Sequence, residues 1–546
     1  MTFPRNVISK FSPGSAPTKS ISELITNHLR NPRQIPAHLG GNLFNGNIQE
    51  QEASYCRGKP ACSYSTVNKK ELVNAITDYR RHQRSFQSDY PPQRRMEMFL
   101  EAADLAETKY RDHLIAYTMI GQNKTPYEAE IDAVCELADF WRFNVHYYEQ
   151  ILNKQPLSVG SDKNWSEYNP LNGVVTAVTP FNFTAIGGNL ATAPLLFGNC
   201  VFWKPSEHAV LSNYLVYEIL LEAGFPEYMI NFTPMDPINF QITTTRRREL
   251  AAVLFTGSCD VFNEVLKDIY QRPRAFNNYP RVIGETGGKN YHFIHNSVND
   301  MDTVVSQTME SAFNYSGQKC SACSRVYIPE SRWDEFLASY KDQIEDYKSS
   351  QYTYGLIHER AFNRTKHVLE NVSHMIVDGG NMRLDHTYYV EPTLLRCDDH
   401  NNFAFHGEFF APILTCYVYD DNQLHETMEL CFDNEYALTG AVFSDNDHFT
   451  NYFRSQSMNS CGNLYINNKS TGSVVGQQPF GGMGKSGTND KAGDMNLLYR
   501  LFSQRNVKMA MPELDGYGDD FPNRQDWNNR YYFDDELLSM RASMCV

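Results

Sequence analysis

The chain has 546 residues, of which 41% are hydrophobic, a normal fraction for a globular protein that excludes wholesale disorder. Its 49 Lys and Arg stand against 64 Asp and Glu, a net charge of −15, which argues against a protein that binds a nucleic-acid backbone. The 12 cysteines show no regular spacing apart from Cys320 and Cys323, so a reducing compartment is favoured over a disulfide scaffold. No apolar stretch reaches about 18 residues, so no membrane span is predicted.

The first 22 residues contain basic residues and five serines, and no acid precedes Glu23. This composition suits a mitochondrial transit peptide and equally an ordinary frayed terminus. The residues alone leave the two interpretations open.

Helical periodicity begins at 71–83, and a helix-rich region continues to about 152. Apolar strand-like runs then alternate with helical segments, which predicts a parallel sheet with right-handed crossovers. The predicted strands are 173–178, 201–203, 230–232 and 250–255, and the predicted helices are 189–197, 210–223 and a segment from after residue 258 to about 270.

Ligands of such sheets lie at the carboxyl ends of the strands. Lys204 and the segment 256–258 each follow a predicted strand, so we expect them to line one crevice. A second alternating series, from Tyr291 to about Phe443, predicts a second α/β domain that carries Cys320. The tail after about residue 512 is polar and aromatic, and the sequence indicates no role for it.

Cys320 has the surroundings of a reactive thiol. It follows a small turn and a cation, Lys319, and small polar residues come after it. The thiolate is the reactive form, and a neighbouring ammonium is expected to lower the pKa of the thiol. A lone cysteine is more often a small buried hydrophobe, so the interpretation needs support from other segments.

Four segments together resemble the aldehyde dehydrogenase superfamily, over roughly residues 40 to 510. They are TPFNFT at 179–184, GETGGKN at 284–290, GQKCSACS at 317–324 and YINNKSTGSVVGQQPFGG at 465–482. The third and fourth are most similar to the branch of that family that oxidises L-glutamate γ-semialdehyde.

The resemblance implies an α/β fold of the aldehyde dehydrogenase type. It has a variant Rossmann NAD-binding domain, a second α/β catalytic domain and a small β oligomerisation arm. The implied division begins with an N-terminal extension at 1–40 and an NAD-binding domain at 41–288, which contains the arm near 155–172. A catalytic domain follows at 289–475. Residues 476–546 return to the first domain and contain the second part of the arm and a tail.

The chain lacks a G-x-G-x-x-G fingerprint, but the family binds its dinucleotide without one. The resemblance implies NAD as cofactor, with the adenosine ribose held by Lys204 and Glu207, and Glu207 disfavours the 2′-phosphate of NADP. Ser258 would meet the pyrophosphate at a helix N-terminus, where exposed N–H groups favour an anion. Glu408 and Phe410, in EFF at 408–410, match the residues at the nicotinamide-side ribose.

For the chemistry, the resemblance implies Cys320 as nucleophile, Asn182 as oxyanion donor and Glu285 as the base that activates water. The substrate-binding residues that it implies are Phe183, Ser321, Gly472, Ser473 and Phe480. The hydroxyls and backbone donors of the loop at 470–473 suit the α-carboxylate of the substrate. No metal is expected.

Other functions fit less well. GGMGKS at 481–486 ends like a phosphate-binding loop, but Pro479 stands where its first glycine is needed. Cys320 and Cys323 form a single Cys-x-x-Cys, which leaves a dithiol exchange role open but lacks the four ligands of a zinc site. An inactive scaffold and an NAD-dependent dehydrogenase of another small acidic aldehyde remain as alternatives.

The family resemblance also bears on partners and location. It implies a small-molecule substrate, a homodimer or larger homo-oligomer, and functional coupling to a proline dehydrogenase. It favours the mitochondrial matrix, with the cytoplasm as the alternative.

Overall fold

A computed structural model gives the structure of the protein and describes Ser9, Phe11 and residues 15–158, 162–349 and 355–510. The tail predicted after about residue 512 lies outside the described residues. None of the described helices is long and apolar enough to cross a bilayer.

The N-terminal third is mainly helical, as the sequence predicts. Its helical pattern at 71–83 is divided between two helices that meet at Asp78, and a single π-helical turn at Ile131–Glu136 joins α6 to α7. The elements are α1 Ala16–Arg30, β1 Arg33–Ile35, β2 Ala37–Leu39, β3 Asn42–Phe44, β4 Asn47–Glu52, β5 Pro60–Thr66, α2 Lys69–Thr77, α3 Tyr79–Asp89, α4 Pro92–Glu107, α5 Arg111–Gln122, α6 Pro126–Glu130, α7 Leu137–Leu152 and β6 Asp162–Asn169.

Helix α1 lies within the predicted N-terminal extension at 1–40. Ile21, Ile25 and His28 form one buried stripe along it, and the ring Nε2 of His28 lies 2.6 Å from the carbonyl oxygen of Ala61. Strand β1 then pairs in parallel with β5. Residues 16–40 therefore pack against the rest of the protein. The basic, serine-rich composition of the N-terminus did not indicate this, because α1 is amphipathic and only one of its faces is apolar.

The predicted parallel sheet is confirmed: its five strands run in the order β11-β10-β7-β8-β9, and all neighbours are parallel. The predicted helix at 189–197 begins earlier, and Ala193–Phe197 is a 3₁₀ turn in which Pro194 cannot continue an α-helix. The elements are β7 Val174–Val178, α8 Thr184–Thr192, β8 Cys200–Lys204, α9 Val210–Glu222, β9 Ile230–Phe232, α10 Pro237–Thr245, β10 Leu250–Thr256, α11 Cys259–Tyr270 and β11 Arg281–Glu285.

The second α/β series forms a seven-stranded sheet in the order β14-β17-β18-β13-β12-β20-β21, with β14 antiparallel to its neighbour. Its region and the chain's return comprise β12 Asn290–Ile294, α12 Met301–Phe313, β13 Cys323–Pro329, α13 Trp333–Ser349, α14 Glu359–Asn371, β14 Ile376–Asp378, β15 Met382–Leu384, β16 Tyr388–Val390, β17 Thr393–Arg396, α15 Phe403–His406, β18 Ile413–Tyr419, α16 Leu424–Phe432, β19 Tyr436–Ala437, β20 Thr439–Phe443, α17 Asp447–Gln456, β21 Asn463–Ile466, β22 Met483–Gly484, α18 Met495–Leu498 and β23 Ser503–Ala510.

Two features of this topology position the site. Cys320 lies between α12 and β13, and the neighbouring Gln318 contacts Asn182, which follows β7 of the first sheet. The chain then returns: Gly487 bridges to Glu285 at the end of β11, and β23 pairs antiparallel with β6 along its whole length. The α/β class inferred from the sequence is confirmed.

Candidate active site

A strained turn presents Cys320. Between α12 and the cysteine, Tyr315 and Ser316 have φ of 53° and 54°, and Gly317 has φ of 67°. Such left-handed conformations are costly for residues with a side chain and cluster at functional sites. A Cβ at position 317 would lie 2.4 Å from the carbonyl oxygen of Ala411, so only glycine fits there.

Hydrogen bonds fix the backbone around the thiol. The side-chain amide of Asn290 donates to the carbonyls of Cys320 and Ala322, both at 2.8 Å, and its oxygen accepts from the N–H of Thr439 at 2.9 Å. A Cβ at Gly288 would lie 2.4 Å from the carbonyl oxygen of Cys320. The sequence reasoning did not identify this positioning contact, although Asn290 ends the quoted motif at 284–290.

Asn182 meets the nucleophile segment from the first sheet. It follows β7, is buried, and donates through Nδ2 to the carbonyl of Gln318 at 3.1 Å. One amide proton is thus used to hold the side chain beside the segment. The second proton suits the predicted role of oxyanion donor.

Glu285 ends β11 in a buried environment that favours the protonated form of its carboxyl group. Burial raises the pKa of Glu285 well above its usual value, although nearby Lys491 lowers it. Its Oε2 has no hydrogen-bond partner among the described residues. A Cβ at Gly481 would lie 2.9 Å from Oε1, so that glycine leaves the room in which a water could approach.

The expected effect of Lys319 on the thiol is wrong. Lys319 donates to Oδ1 of Asn314, and burial lowers its own pKa to about 8. Burial raises the pKa of Cys320 to about 12, and the carboxyls of Glu285 and Glu408 add to the rise. Sequence adjacency did not predict the direction of the lysine's side chain, which is set by the turn after α12.

Three of the predicted cofactor residues follow strands of the first sheet. Lys204 ends β8, and burial lowers its pKa, whereas Glu207 is 66% exposed. A hydrogen bond from His208, whose Nε2 lies 3.4 Å away, is the main cause that lowers the pKa of Glu207 to about 2. Ser258 caps α11 and accepts from the N–H of Val261 at 3.4 Å. Lys204 and Ser258 thus lie at or just after the carboxyl ends of β8 and β10, the two strands that flank β7.

A cavity of about 480 Å³ opens beside Glu207, with Pro205, Val210 and Met235 among its walls. Its partly apolar lining and the carboxylate at its edge suit an aromatic base joined to a ribose.

Glu408 and Phe410 face the first sheet from the second domain. Glu408 accepts from the N–H of Gly288 at 2.9 Å, and burial raises its pKa to about 7. A Cβ at Gly287 would lie 2.0 Å from its Oε2, so the carboxylate occupies a cradle that only glycine permits. Phe410 has φ of 55°, and its ring packs edge-on against Phe181 at 5.9 Å.

The loop at 470–473 lies partly buried beside β12. Gly472 has φ of 89°, and the Ser473 hydroxyl donates to the carbonyl of Gln478 at 2.6 Å. To donate to a substrate carboxylate, that hydroxyl has to rotate away from Gln478. Ser470, which the sequence reasoning left without a role of its own, is fully buried.

The remaining predicted substrate residues are Ser321, Phe183 and Phe480. Ser321 is buried, and its carbonyl accepts from the hydroxyl of Thr439 at 3.4 Å. The Phe183 ring lies 3.9 Å from Nζ of Lys124, which is paired with Asp132. Phe480 exchanges two backbone hydrogen bonds with Ala492. The sequence reasoning missed this buried Lys124–Asp132 pair, because nothing in its spacing distinguishes it from a surface pair.

The described cysteines are all free thiols, and no group of three or more His, Cys, Asp or Glu that could hold a metal ion is found among the described residues. Cys323 is buried, and its Sγ donates to the carbonyl of Arg325 at 3.4 Å. The geometry therefore favours one reactive thiol over a dithiol pair.

Comparison with known proteins agrees with this geometry. Residues 48–505 match the model of the aldehyde dehydrogenase family. The chain is 40% identical over 516 residues to mitochondrial delta-1-pyrroline-5-carboxylate dehydrogenase of Mus musculus, covering 92% of this chain and 91% of that protein. It is 39% identical over 513 residues to the Homo sapiens protein of the same name, covering 91% and 90%.

A solved structure shows the same similarity. The delta-pyrroline-5-carboxylate dehydrogenase of Mycobacterium tuberculosis, in a structure bound with NAD, superposes with a TM-score of 0.87 at 33% identity. The match covers 96% of this chain and 98% of that one.

Proposed function

The chain belongs to the aldehyde dehydrogenase family, and we propose that it oxidises L-glutamate γ-semialdehyde, the open form of 1-pyrroline-5-carboxylate, to L-glutamate with NAD. The observation that carries this proposal is about 40% identity, over nearly the whole length of both chains, to proteins named for that activity. The site contains the nucleophile, amide donor and carboxyl group that the reaction needs.

The residues present fit NAD. Ser258 caps the 12-residue helix α11, whose N-terminus favours the pyrophosphate. Lys204 and Glu207 would hold the adenosine ribose beside the cavity described above, and Glu408 would hold the second ribose with Phe410 packed nearby. When bound, NAD accepts the hydride.

Chemistry begins when the Cys320 thiolate adds to the aldehyde carbon. The developing oxyanion accepts hydrogen bonds from the Asn182 amide and from the backbone N–H of Cys320. Loss of the hydride leaves a thioester on Cys320, which is more electrophilic than an oxygen ester. Glu285, once deprotonated, takes a proton from water, which attacks the thioester and releases glutamate.

Selection of the substrate depends on its charged tail. Gly472 and Ser473 would bind the α-carboxylate, while Phe183 and Phe480 would flank the aliphatic carbons and Ser321 would lie beside the thiol. An alkanal leaves such polar donors unpaired, which makes its binding less favourable.

The decisive assay measures NADH formation with 1-pyrroline-5-carboxylate and with propanal. We expect kcat/KM to be higher for the former by roughly 100-fold or more, because propanal leaves the polar groups of the loop unpaired. Equal values would refute the substrate and leave the reaction class standing. A preference for a different acidic aldehyde would favour the alternative of a related dehydrogenase.

We further propose the mitochondrial matrix as its location, because several relatives are named as mitochondrial. Since α1 is part of the folded body, a cleaved targeting segment has to end before Ala16. The β6–β23 pair would form the oligomerisation arm, and a proline dehydrogenase would supply the substrate. Sequencing the N-terminus of the protein purified from its cells tests this limit on cleavage, since a start beyond residue 16 would contradict it.

A further inference from the structure

Helix α12 is tied to the loop at 470–473 by three side-chain contacts. The Ser470 hydroxyl lies 2.9 Å from the hydroxyl of Ser311 in the last turn of α12. Lys469, next to it, forms an ion pair with Glu310 of the same turn. The third contact runs through His292.

His292 lies on β12 and bridges the loop to α12. Its Nε2 is 3.1 Å from the Ser470 hydroxyl and its Nδ1 is 2.9 Å from the hydroxyl of Thr308 on α12. The side chain is fully buried, and burial lowers the pKa of His292 to about 3, so the ring is neutral at physiological pH. One ring nitrogen donates and the other accepts, which makes the bridge a pair of neutral hydrogen bonds.

The same helix leads directly into the nucleophile segment. Asn314 follows the last residue of α12 and accepts from Lys319, next to Cys320. The left-handed turn at 315–317 then fixes the direction of the chain. One rigid element therefore contacts the carboxylate-binding loop and carries the thiol.

We propose that α12 fixes the separation between Cys320 and the loop at 470–473, and that Ser311 and His292 are positioning residues that set the length of amino-acid aldehyde the enzyme accepts. This inference rests on the proposed function. A substrate held by its carboxylate reaches the thiol only if that separation matches its chain, and small misplacements of reacting groups cost as much as about 100-fold in rate. An alkanal without a carboxylate makes no use of the loop.

The test is the variant Ser311→Ala. We expect kcat/KM for 1-pyrroline-5-carboxylate to fall about 10-fold, mainly through KM, which is the effect of losing one hydrogen bond. The kcat/KM for propanal should stay within about 2-fold of the value of the unsubstituted protein. The preference over the homologue one carbon longer, 2-aminoadipate 6-semialdehyde, should fall by about 3- to 10-fold.

Ser339→Ala is the matched control. Ser339 is also buried, and its hydroxyl donates to Oδ1 of Asp302 at 2.6 Å. The variant therefore removes a serine contact to the other end of α12. We expect this variant to keep both activities and the chain-length preference. Lys469→Met provides a second variant at a partly exposed pair, where folding is not at risk.

Equal losses with 1-pyrroline-5-carboxylate and propanal in Ser311→Ala and Lys469→Met would overturn the inference, and so would unchanged selectivity in both. If the unsubstituted protein itself shows no preference over propanal, the proposed function fails and the inference falls with it. These outcomes are distinguishable, because the second is read from the unsubstituted protein alone.

Discussion

The nucleophile segment at 317–324 and the proposed dinucleotide crevice, at Lys204, Glu207 and Ser258, are held in different ways. Around Cys320, the Asn290 amide holds two carbonyls and glycines close the remaining space. In the crevice, Glu207 is 66% exposed and lies 3.4 Å from its neighbour His208. The atom that forms a bond is fixed in advance, whereas Glu207, which is proposed to meet a ligand that enters and leaves at each turnover, stays open to solvent.

The two regions also treat their acids differently. Hydrogen bonding lowers the pKa of Glu207, so its charge is permanent at neutral pH, whereas burial raises the pKa of Glu285 and of Cys320. When different environments give two carboxyl groups different pKa values, one can stay charged and bind a ligand while the other transfers a proton.

The strongest change is at the thiol itself. Cys320→Ala should abolish NADH formation, a loss of roughly 10⁴-fold or more, because the covalent step has no other nucleophile. NAD binding, followed by quenching of protein fluorescence, should change less than about 2-fold. Cys323→Ala serves as control and should remain active, and the reverse pattern would assign the chemistry to the other thiol.

Asn182→Ala removes one oxyanion donor. We expect kcat to fall about 10²- to 10³-fold with little change in KM for NAD, as for other enzymes that lose one such donor. Steady-state kinetics with both substrates varied would show this. A defect confined to KM would place Asn182 in binding rather than in catalysis.

Much of this arrangement follows from the sequence. The parallel sheet was predictable because its strands are short apolar runs that end in polar residues. The family motifs predicted Asn182, Glu285 and Cys320 as parts of one site. The Asn290–Cys320 contact joins residues 30 positions apart, and no local pattern encodes it. Likewise the direction of Lys319 and the burial of α1 depend on tertiary packing, which propensity and composition do not describe.

The raised pKa values of Cys320 and Glu285 predict that activity depends on pH, with an effect smaller than that of replacing Asn182. Because the thiolate of Cys320 and the carboxylate of Glu285 are the reactive forms, and both pKa values are raised, activity should increase with pH. With the pKa of the thiol near 12, kcat/KM for propanal should rise by up to about 10-fold per unit between pH 7 and 9. Propanal is used because it does not titrate, and a flat profile would show that the thiolate forms more readily than burial implies.

Glu207→Gln should have the smallest effect. Removing this carboxylate is expected to raise KM for NAD a few-fold and to improve use of NADP by about 10-fold at most, because repulsion of the 2′-phosphate is lost in a solvent-exposed setting. Kinetics with the two cofactors would measure the ratio. An unchanged ratio would remove Glu207 from cofactor selection.

The central claim, a covalent intermediate on Cys320, can be tested most directly with Glu285→Gln. This variant keeps the thiol but lacks the base, so mixing it with NAD and 1-pyrroline-5-carboxylate should accumulate the thioester. Peptide mass analysis after acid quenching should find the glutamyl adduct on Cys320, together with one NADH per site. NADH formation with no adduct on Cys320, or with the adduct on another residue, would contradict the account.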